Sequence, residues 1–155
     1  MMDGLGKLLG LKVVSVPGVT GYYDTNYEGK GQYAIDNLKR YDFCFLHVEA
    51  TDEAGHNGDL REKIRAIESF DNYIVGAVYN YLKTSNQDFR ILISSDHATP
   101  VSIRTHTDEA VAFLCFGAGI TPRIKVNSFN EKNAKATLAE YTGCLLYTSP
   151  SPRDL

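Results

Sequence analysis

The sequence predicts an α/β fold with a mostly parallel sheet flanked by helices. Short apolar runs alternate along the chain with longer segments of helical period, and clusters of Asp and His follow two of those runs. Strands that alternate with helices are typical of a parallel sheet whose functional loops gather at the strand ends. With 155 residues, 43% hydrophobic and 23% charged, the chain is long enough for one domain with a core.

In the first half of the chain, the sequence predicts two strands and a helix. The β-branched run "KVVSV" (12–16) is closed by a Pro-Gly turn signal, which indicates a strand. The segment "EGKGQYAIDNLKRY" (28–41) has apolar residues at helical spacing, although its early glycines weaken the helix. The run "DFCFLHV" (42–48) is apolar at nearly every position and indicates a strand that is covered on both faces.

The second half predicts one long helix and two more strands. Asp59 is a candidate N-cap, with Glu62 three residues later. The apolar residues that follow keep to one helical face: Leu60, Ile64, Ile67, Ile74, Val78 and Leu82. The runs "FRILISS" (89–95) and "AVAFLCF" (110–116) indicate a third buried strand and a fourth strand.

Composition and charge argue against several classes of protein. The net charge is −3 and there is no basic stripe, which argues against nucleic-acid binding. No apolar run approaches the roughly 20 residues that cross a bilayer, and the start lacks the pattern of a signal peptide, so we predict no membrane association and a cytoplasmic location. The three cysteines lack C-x-x-C spacing, which argues against a disulfide framework or a structural zinc site.

Five acids and histidines fall at predicted strand ends or in the loop between strands. Asp52 and His56 have D-x-x-x-H spacing, Asp96 and His97 follow the third strand directly, and His106 precedes the fourth. Any one of them alone would ordinarily be a solvated or capping residue, but the five together predict a metal site. Imidazole nitrogen with carboxylate oxygen suits Mn, Zn or Co better than Ca.

At these residues the sequence resembles a known family. The segments "HVEATDEAGHNGD", "SSDHATP" and "RTHTDEAVAF" resemble the cofactor-independent phosphoglycerate mutases, closest to the archaeal-type branch, within the alkaline phosphatase superfamily. The segments "VPGVTGYYDTNYEGK" and "FNEKNAK" are also similar to that family. The resemblance spans residues 4 to 135 and implies an alkaline-phosphatase-like core, of which this chain would be a part.

The resemblance implies an isomerase that interconverts 2- and 3-phosphoglycerate in glycolysis by means of two divalent metals and a phosphoserine. The metals would be manganese or zinc, with magnesium or cobalt as alternatives. Carried over by motif, Asp52, His56 and His106 would bind one metal, and Asp96 and His97 the other. Arg104 and Lys30 could meet a carboxylate or phosphate of the phosphoglycerate, although a solvated cation is the ordinary role of such residues.

The resemblance also suggests where this chain departs from the family. In that family the nucleophilic serine and a further aspartate come from a segment that precedes the part seen here. We therefore expect this chain to be the carboxyl-terminal part of the enzyme and to be inactive on its own. Residues 1–144 would belong to the metal-dependent domain. The end "LLYTSPSPRDL" (145–155) has no core pattern and is expected to be a non-native or disordered tail.

Two alternatives remain open. The metal site could serve another phosphate or sulfate ester enzyme of the superfamily, or a relative that resembles homoserine kinase. In a different class altogether, the chain could be a non-catalytic α/β binding domain whose acids and histidines are ordinary loop residues. Binding of a divalent metal would separate this last possibility from the enzymes.

Overall fold

A computed structural model describes residues 2–122, 126–138 and 140–141. The fold is a mixture of helices and strands with a small sheet. In chain order the elements are α1 (Met2–Leu8), α2 (Tyr27–Leu38), α3 (Ala50–His56), α4 (Leu60–Ser69), a π-helical segment (Phe70–Gly76), α5 (Ala77–Thr84), β1 (Arg90–Ser94), β2 (Phe113–Gly117) and α6 (Glu131–Ala136).

The sheet of the described ranges has two strands, and they are antiparallel. Arg90 lies opposite Gly117 and Leu92 opposite Cys115. The predicted strands at 89–95 and 110–116 are therefore found, within a few residues, but a parallel sheet is not confirmed. The strands predicted at 12–16 and 42–48 are wrong, since both segments are irregular. A strand needs a hydrogen-bonded neighbour as well as an apolar sequence, and these runs have no ladder partner among the described residues.

Exposure of the apolar runs also differs from the prediction. The run at 42–48 was expected to be buried on both faces, yet Phe43 is 64% exposed and Phe45 60%. β1 and β2 alternate between exposed and half-buried positions, so neither is the fully buried strand that an unbroken apolar run indicates. The reason is that burial requires a facing layer, which local sequence does not specify.

The long helix begins where it was predicted to begin. The Asp59 side chain accepts a hydrogen bond of 3.0 Å from the Glu62 backbone N–H, which caps α4. The helical path then runs through the π-helical segment into α5. Ile74 within that segment is 5% exposed, whereas Ile64 and Ile67 are half exposed. The predicted apolar face is therefore buried only in part.

Helix α2 packs closely against the π-helical segment. It begins at Tyr27, where the side chain of Asn26 accepts a hydrogen bond of 2.8 Å from the Gly29 backbone N–H. Gly31 is buried, and a Cβ there would collide with the carbonyl oxygen of Tyr73. A glycine that weakens the helix in isolation thus allows the two backbones to approach.

Two further predictions concern the membrane and the end of the chain. Within the described part of the chain, no helix has both the length and the apolar character needed to cross a membrane. The predicted tail at 145–155 lies outside the described residues.

Candidate metal centre

Helix α3 carries the first pair of candidate ligands. Asp52 and His56 were expected beyond a strand end; they lie instead on this short helix, four residues apart and therefore on one face. Ala50 and Ala54 are 1% and 0% exposed. The small residues let the helix pack closely on its inner face.

The loop after β1 carries the second pair and brings a third histidine beside it. β1 ends at Ser94, so the backbone has left the extended strand before it reaches Asp96 and His97. An isolated bridge joins Ala98 to Thr107, whose backbone N–H donates to the Ala98 carbonyl at 3.0 Å. The bridge places the rings of His97 and His106 with their centroids 3.7 Å apart.

Three donor groups form a triangle of the size that a small divalent cation requires. His56 Nε2 lies 3.3 Å from Asp52 Oδ2 and 3.0 Å from His106 Nε2, and His106 Nε2 lies 3.6 Å from Asp52 Oδ1. Metal-ligand bonds of about 2.0 to 2.1 Å place tetrahedral ligand atoms about 3.3 Å apart. The donor chemistry and the spacing therefore both fit a cation such as Zn or Mn.

The backbone of Arg104 orients His56 within this triangle. His56 Nδ1 lies 3.2 Å from the carbonyl oxygen of Arg104. A carbonyl can only accept, so Nδ1 carries the proton and donates it, and in neutral imidazole Nε2 then keeps its lone pair. This is the arrangement found around metal-ligating histidines, where the second ring nitrogen donates to a backbone or side-chain oxygen.

His97 lies beside the same carboxylate, and Asp96 lies next to His97. His97 Nε2 lies 3.5 Å from Asp96 Oδ2, and His97 Nδ1 lies 3.9 Å from Asp52 Oδ1. Asp52, His97 and His106 each offer one ligand atom within 4.8 Å of the others. Asp52 and His106 thus belong to both groupings, while the Asp96 side chain is 70% exposed at the rim.

The carboxyl of Asp52 is the electrostatic centre of this group. Partial burial by itself raises its pKa, but the hydrogen bond from Thr99 and the nearby His56, His97 and His106 together outweigh that effect, so the pKa of Asp52 lies below its ordinary value. The carboxylate form therefore predominates at neutral pH, as a metal ligand requires.

Two residues that sequence reasoning missed hold the loop against α3. The hydroxyl of Thr99, a residue that is 5% exposed, donates to Asp52 Oδ1. Lys63 on α4 donates from Nζ to the Thr99 carbonyl at 2.6 Å. Burial lowers the pKa of Lys63, an effect that the charges of Asp52 and Glu131 oppose. Thr99 could have been noticed from its place two residues after His97, whereas Lys63 carries no signal that separates it from a surface lysine.

The side chains of the two residues predicted to meet substrate make their contacts outside the group of candidate ligands. The exposed side chain of Arg104 lies over Gly58, where any Cβ would collide with the guanidinium, and Arg104 itself has a positive φ of 60°. Lys30 donates from Nζ to the carbonyl of His47 at 2.6 Å. Burial lowers the pKa of Lys30, and Glu49 opposes the shift.

Comparison with known proteins identifies relatives of this chain. The chain is 44% identical over 135 residues to a 2,3-bisphosphoglycerate-independent phosphoglycerate mutase of Methanosarcina barkeri and 46% identical over 131 residues to one of Methanothermobacter thermautotrophicus. These matches cover 87% and 84% of this chain but 34% and 32% of those proteins. The chain thus spans about a third of the length of these relatives.

A solved structure and a family model extend the comparison. A protein of Pyrococcus horikoshii superposes with a TM-score of 0.80 at 32% identity, over 87% of this chain and 40% of that one. The model of the Metalloenzyme superfamily matches residues 1–146. That match includes every candidate ligand described above, and the chain therefore belongs to the Metalloenzyme superfamily.

Proposed function

We propose that this chain supplies the metal-binding part of a 2,3-bisphosphoglycerate-independent phosphoglycerate mutase with an alkaline-phosphatase-like core. The observation that carries the proposal is the triangle of Asp52, His56 and His106: the two Nε2 atoms lie 3.0 Å apart, and each lies 3.3 to 3.6 Å from one oxygen of the Asp52 carboxylate. The mutases of Methanosarcina barkeri and Methanothermobacter thermautotrophicus support the choice of reaction. A cytoplasmic location and the absence of a nucleic-acid partner stay predictions.

In this proposal the candidate ligands divide into two sets. Asp52, His56 and His106 hold one divalent cation, and Asp96 with His97 contributes to a second. Manganese and zinc suit the mixed nitrogen and oxygen donors. When bound, such cations neutralise charge on phosphoryl oxygens and lower the pKa of a hydroxyl that attacks phosphorus.

The chain's own residues orient the site. The Arg104 carbonyl keeps the proton of His56 on Nδ1, so that Nε2 faces Asp52 and His106. We propose that the Arg104 guanidinium, which is exposed, binds a phosphate or carboxylate of the phosphoglycerate. The planar guanidinium favours bidentate hydrogen bonds to such groups. Lys30 donates one of its three N–H groups to the His47 carbonyl, and the other two remain to bind a substrate carboxylate.

Calorimetric titration with Mn²⁺ and Zn²⁺ tests the metal site. We expect the 155-residue chain to bind, and His56→Ala to weaken binding by about 100-fold or more, because one of three ligands is lost. His47→Ala is the matched control, since the His47 ring pairs with Glu49, Nδ1 to Oε1 at 3.8 Å, and Glu49 is not a candidate ligand. Equal affinity of the wild type and His56→Ala would contradict the proposed site.

A chimera tests the reaction separately from the metal. The matched 135 residues of the Methanosarcina barkeri mutase would be exchanged for those of this chain, and interconversion of 2- and 3-phosphoglycerate would be measured. We expect activity that His56→Ala abolishes and His47→Ala preserves. A chimera that folds and binds metal but acts on another phosphate or sulfate ester instead would favour a different enzyme of the superfamily.

A further inference from the structure

Thr99 lies between the two sets of candidate ligands. Its hydroxyl contacts Asp52 Oδ1 on one side and His97 Nδ1, at 3.2 Å, on the other. The residue is 5% exposed, so water has little access to compete for the hydroxyl. A single buried oxygen thus links an acid of the first set to a histidine of the second.

The direction of each hydrogen bond follows from the number of protons available. A threonine hydroxyl has one proton and two lone pairs, and an ionised carboxylate has no proton to give. The hydroxyl therefore donates to Asp52 Oδ1, and only its lone pairs remain for His97. His97 Nδ1 must then carry a proton and donate it, which leaves the lone pair of neutral His97 on Nε2.

The consequence is a defined direction for His97. Its Nε2 lies 3.5 Å from Asp96 Oδ2, so the free lone pair is on the side of Asp96, and Nδ1 is not available as a ligand. We propose that Thr99 is a positioning residue that fixes the Nδ1–H tautomer of His97 and the orientation of the Asp52 carboxylate. The inference rests on the proposed metal site for its purpose, but not for the hydrogen bonds themselves.

The backbone around Thr99 is fixed from two directions. Lys63 Nζ donates to its carbonyl oxygen at 2.6 Å. On the side of α3, Gly55 leaves room for the same carbonyl, because a Cβ at Gly55 would collide with it. The backbone that carries the hydroxyl is therefore fixed in place, as a residue that orients a ligand requires.

The tautomer can be measured directly in the metal-free protein. Long-range ¹H–¹⁵N NMR of the 155-residue chain at mildly alkaline pH distinguishes Nδ1–H from Nε2–H imidazole, and His97→Gln assigns the signal. We expect Nδ1–H for His97 in the wild type and in Thr99→Ser, which keeps the hydroxyl. In Thr99→Val, which replaces the hydroxyl by a methyl group, we expect a mixture or a shift to Nε2–H.

Metal titration supplies the second readout. Thr99→Val should bind Mn²⁺ and Zn²⁺ about 10- to 100-fold more weakly, the usual range for residues that orient metal ligands, and Thr99→Ser should recover most of the affinity. Thr20→Val is the matched control, since the Thr20 hydroxyl also donates to an aspartate, Asp24, at 2.7 Å, outside the cluster.

The outcomes separate this inference from the proposed function. An Nε2–H tautomer of His97 in the wild type would overturn the role of Thr99 even if metal binds. Wild-type affinity in Thr99→Val would overturn it as well. Absence of metal binding by the wild type would count against the metal site alone, because the tautomer would still decide what Thr99 does. If Thr99→Val fails to fold, Thr99→Ala, which also lacks the hydroxyl, replaces it in both measurements.

Discussion

Ala50 and Ala54, on the helix that carries Asp52, are 1% and 0% exposed, whereas Phe43 and Phe45, a few residues earlier in the chain, are 64% and 60% exposed. The small residues are buried because α3 meets α4 and the Thr99 segment directly. The large apolar residues have no such facing layer among the described residues. Apolar character alone therefore does not bury a segment; a surface that fits against it does.

The same contrast holds for polar groups. Around Asp52, side chains from α3, the loop after β1 and the loop before β2 meet within hydrogen-bond distance. In the apolar run at 42–48, the corresponding long-range contact is the hydrogen bond from Lys30 to the His47 carbonyl. We therefore expect the cluster to be the more sensitive of the two regions to small changes.

The largest effect should come from Asp52→Asn, which keeps the shape of the side chain but removes its charge. Asp52 neighbours three imidazoles and accepts from Thr99, so we expect metal affinity to fall by about 100-fold or more. Calorimetry against Asp71→Asn, an exposed acid outside the cluster, measures the difference. Similar affinities in the two variants would remove Asp52 from the centre of the site.

Gly55→Ala should have the next largest effect. The added Cβ would meet the Thr99 carbonyl, a backbone atom that cannot move aside easily. We expect a loss of about 1 to 3 kcal/mol in the free energy of unfolding, the usual cost of overpacking, together with weaker metal binding. The control is Gly4→Ala on α1, where nothing lies within 4 Å and a helical Ala should be neutral or stabilising. Equal denaturation midpoints for the two variants would show that α3 is not tightly packed.

Two lysines allow a direct comparison of the regions, with a smaller expected effect. Lys63 and Lys30 each donate to a backbone carbonyl at 2.6 Å, one beside the cluster and one at an apolar run. Replacing either by Met keeps most of the aliphatic stem and should cost on the order of 1.5 kcal/mol of stability. Only Lys63→Met should also weaken metal binding, because only Lys63 holds the Thr99 segment. A loss of metal affinity in Lys30→Met alone would reverse the comparison.

Phe45→Ser should have the smallest effect on stability. Because Phe45 is 60% exposed, we expect the free energy of unfolding to change by no more than about 0.5 kcal/mol, while binding of a hydrophobic dye falls. Ile74→Ala, at a site that is 5% exposed, is the contrasting variant and should cost about 2 to 5 kcal/mol. A large loss of stability in Phe45→Ser would mean that the apolar runs are packed after all.

The elements that sequence predicted well are those governed by neighbouring residues. The Asp59 cap and the start of α4 depend on hydrogen bonds and periodicity within a few positions. The strand at Arg90–Ser94 is found because a second apolar run, at Phe113–Gly117, pairs with it. The strands predicted at 12–16 and 42–48 failed because a strand depends on a partner elsewhere in the chain. Whether the strands are parallel or antiparallel was not predictable for the same reason, since the sequence of an apolar run does not specify the direction of the strand beside it.

By itself, the sequence determined which donors are available: the i, i+4 spacing puts Asp52 and His56 on one face of a helix wherever that helix lies. Only the tertiary structure decided which histidines meet and through which nitrogen. The Ala98 to Thr107 bridge sets His106 beside His97, and the Arg104 carbonyl and the Thr99 hydroxyl select the protonated nitrogens of His56 and His97. The physical reason is that a hydrogen bond fixes a proton only when donor and acceptor are within about 3.2 Å. The partners that decide the two cases are far apart in sequence: His56 and Arg104 by 48 residues, and Thr99 and Asp52 by 47.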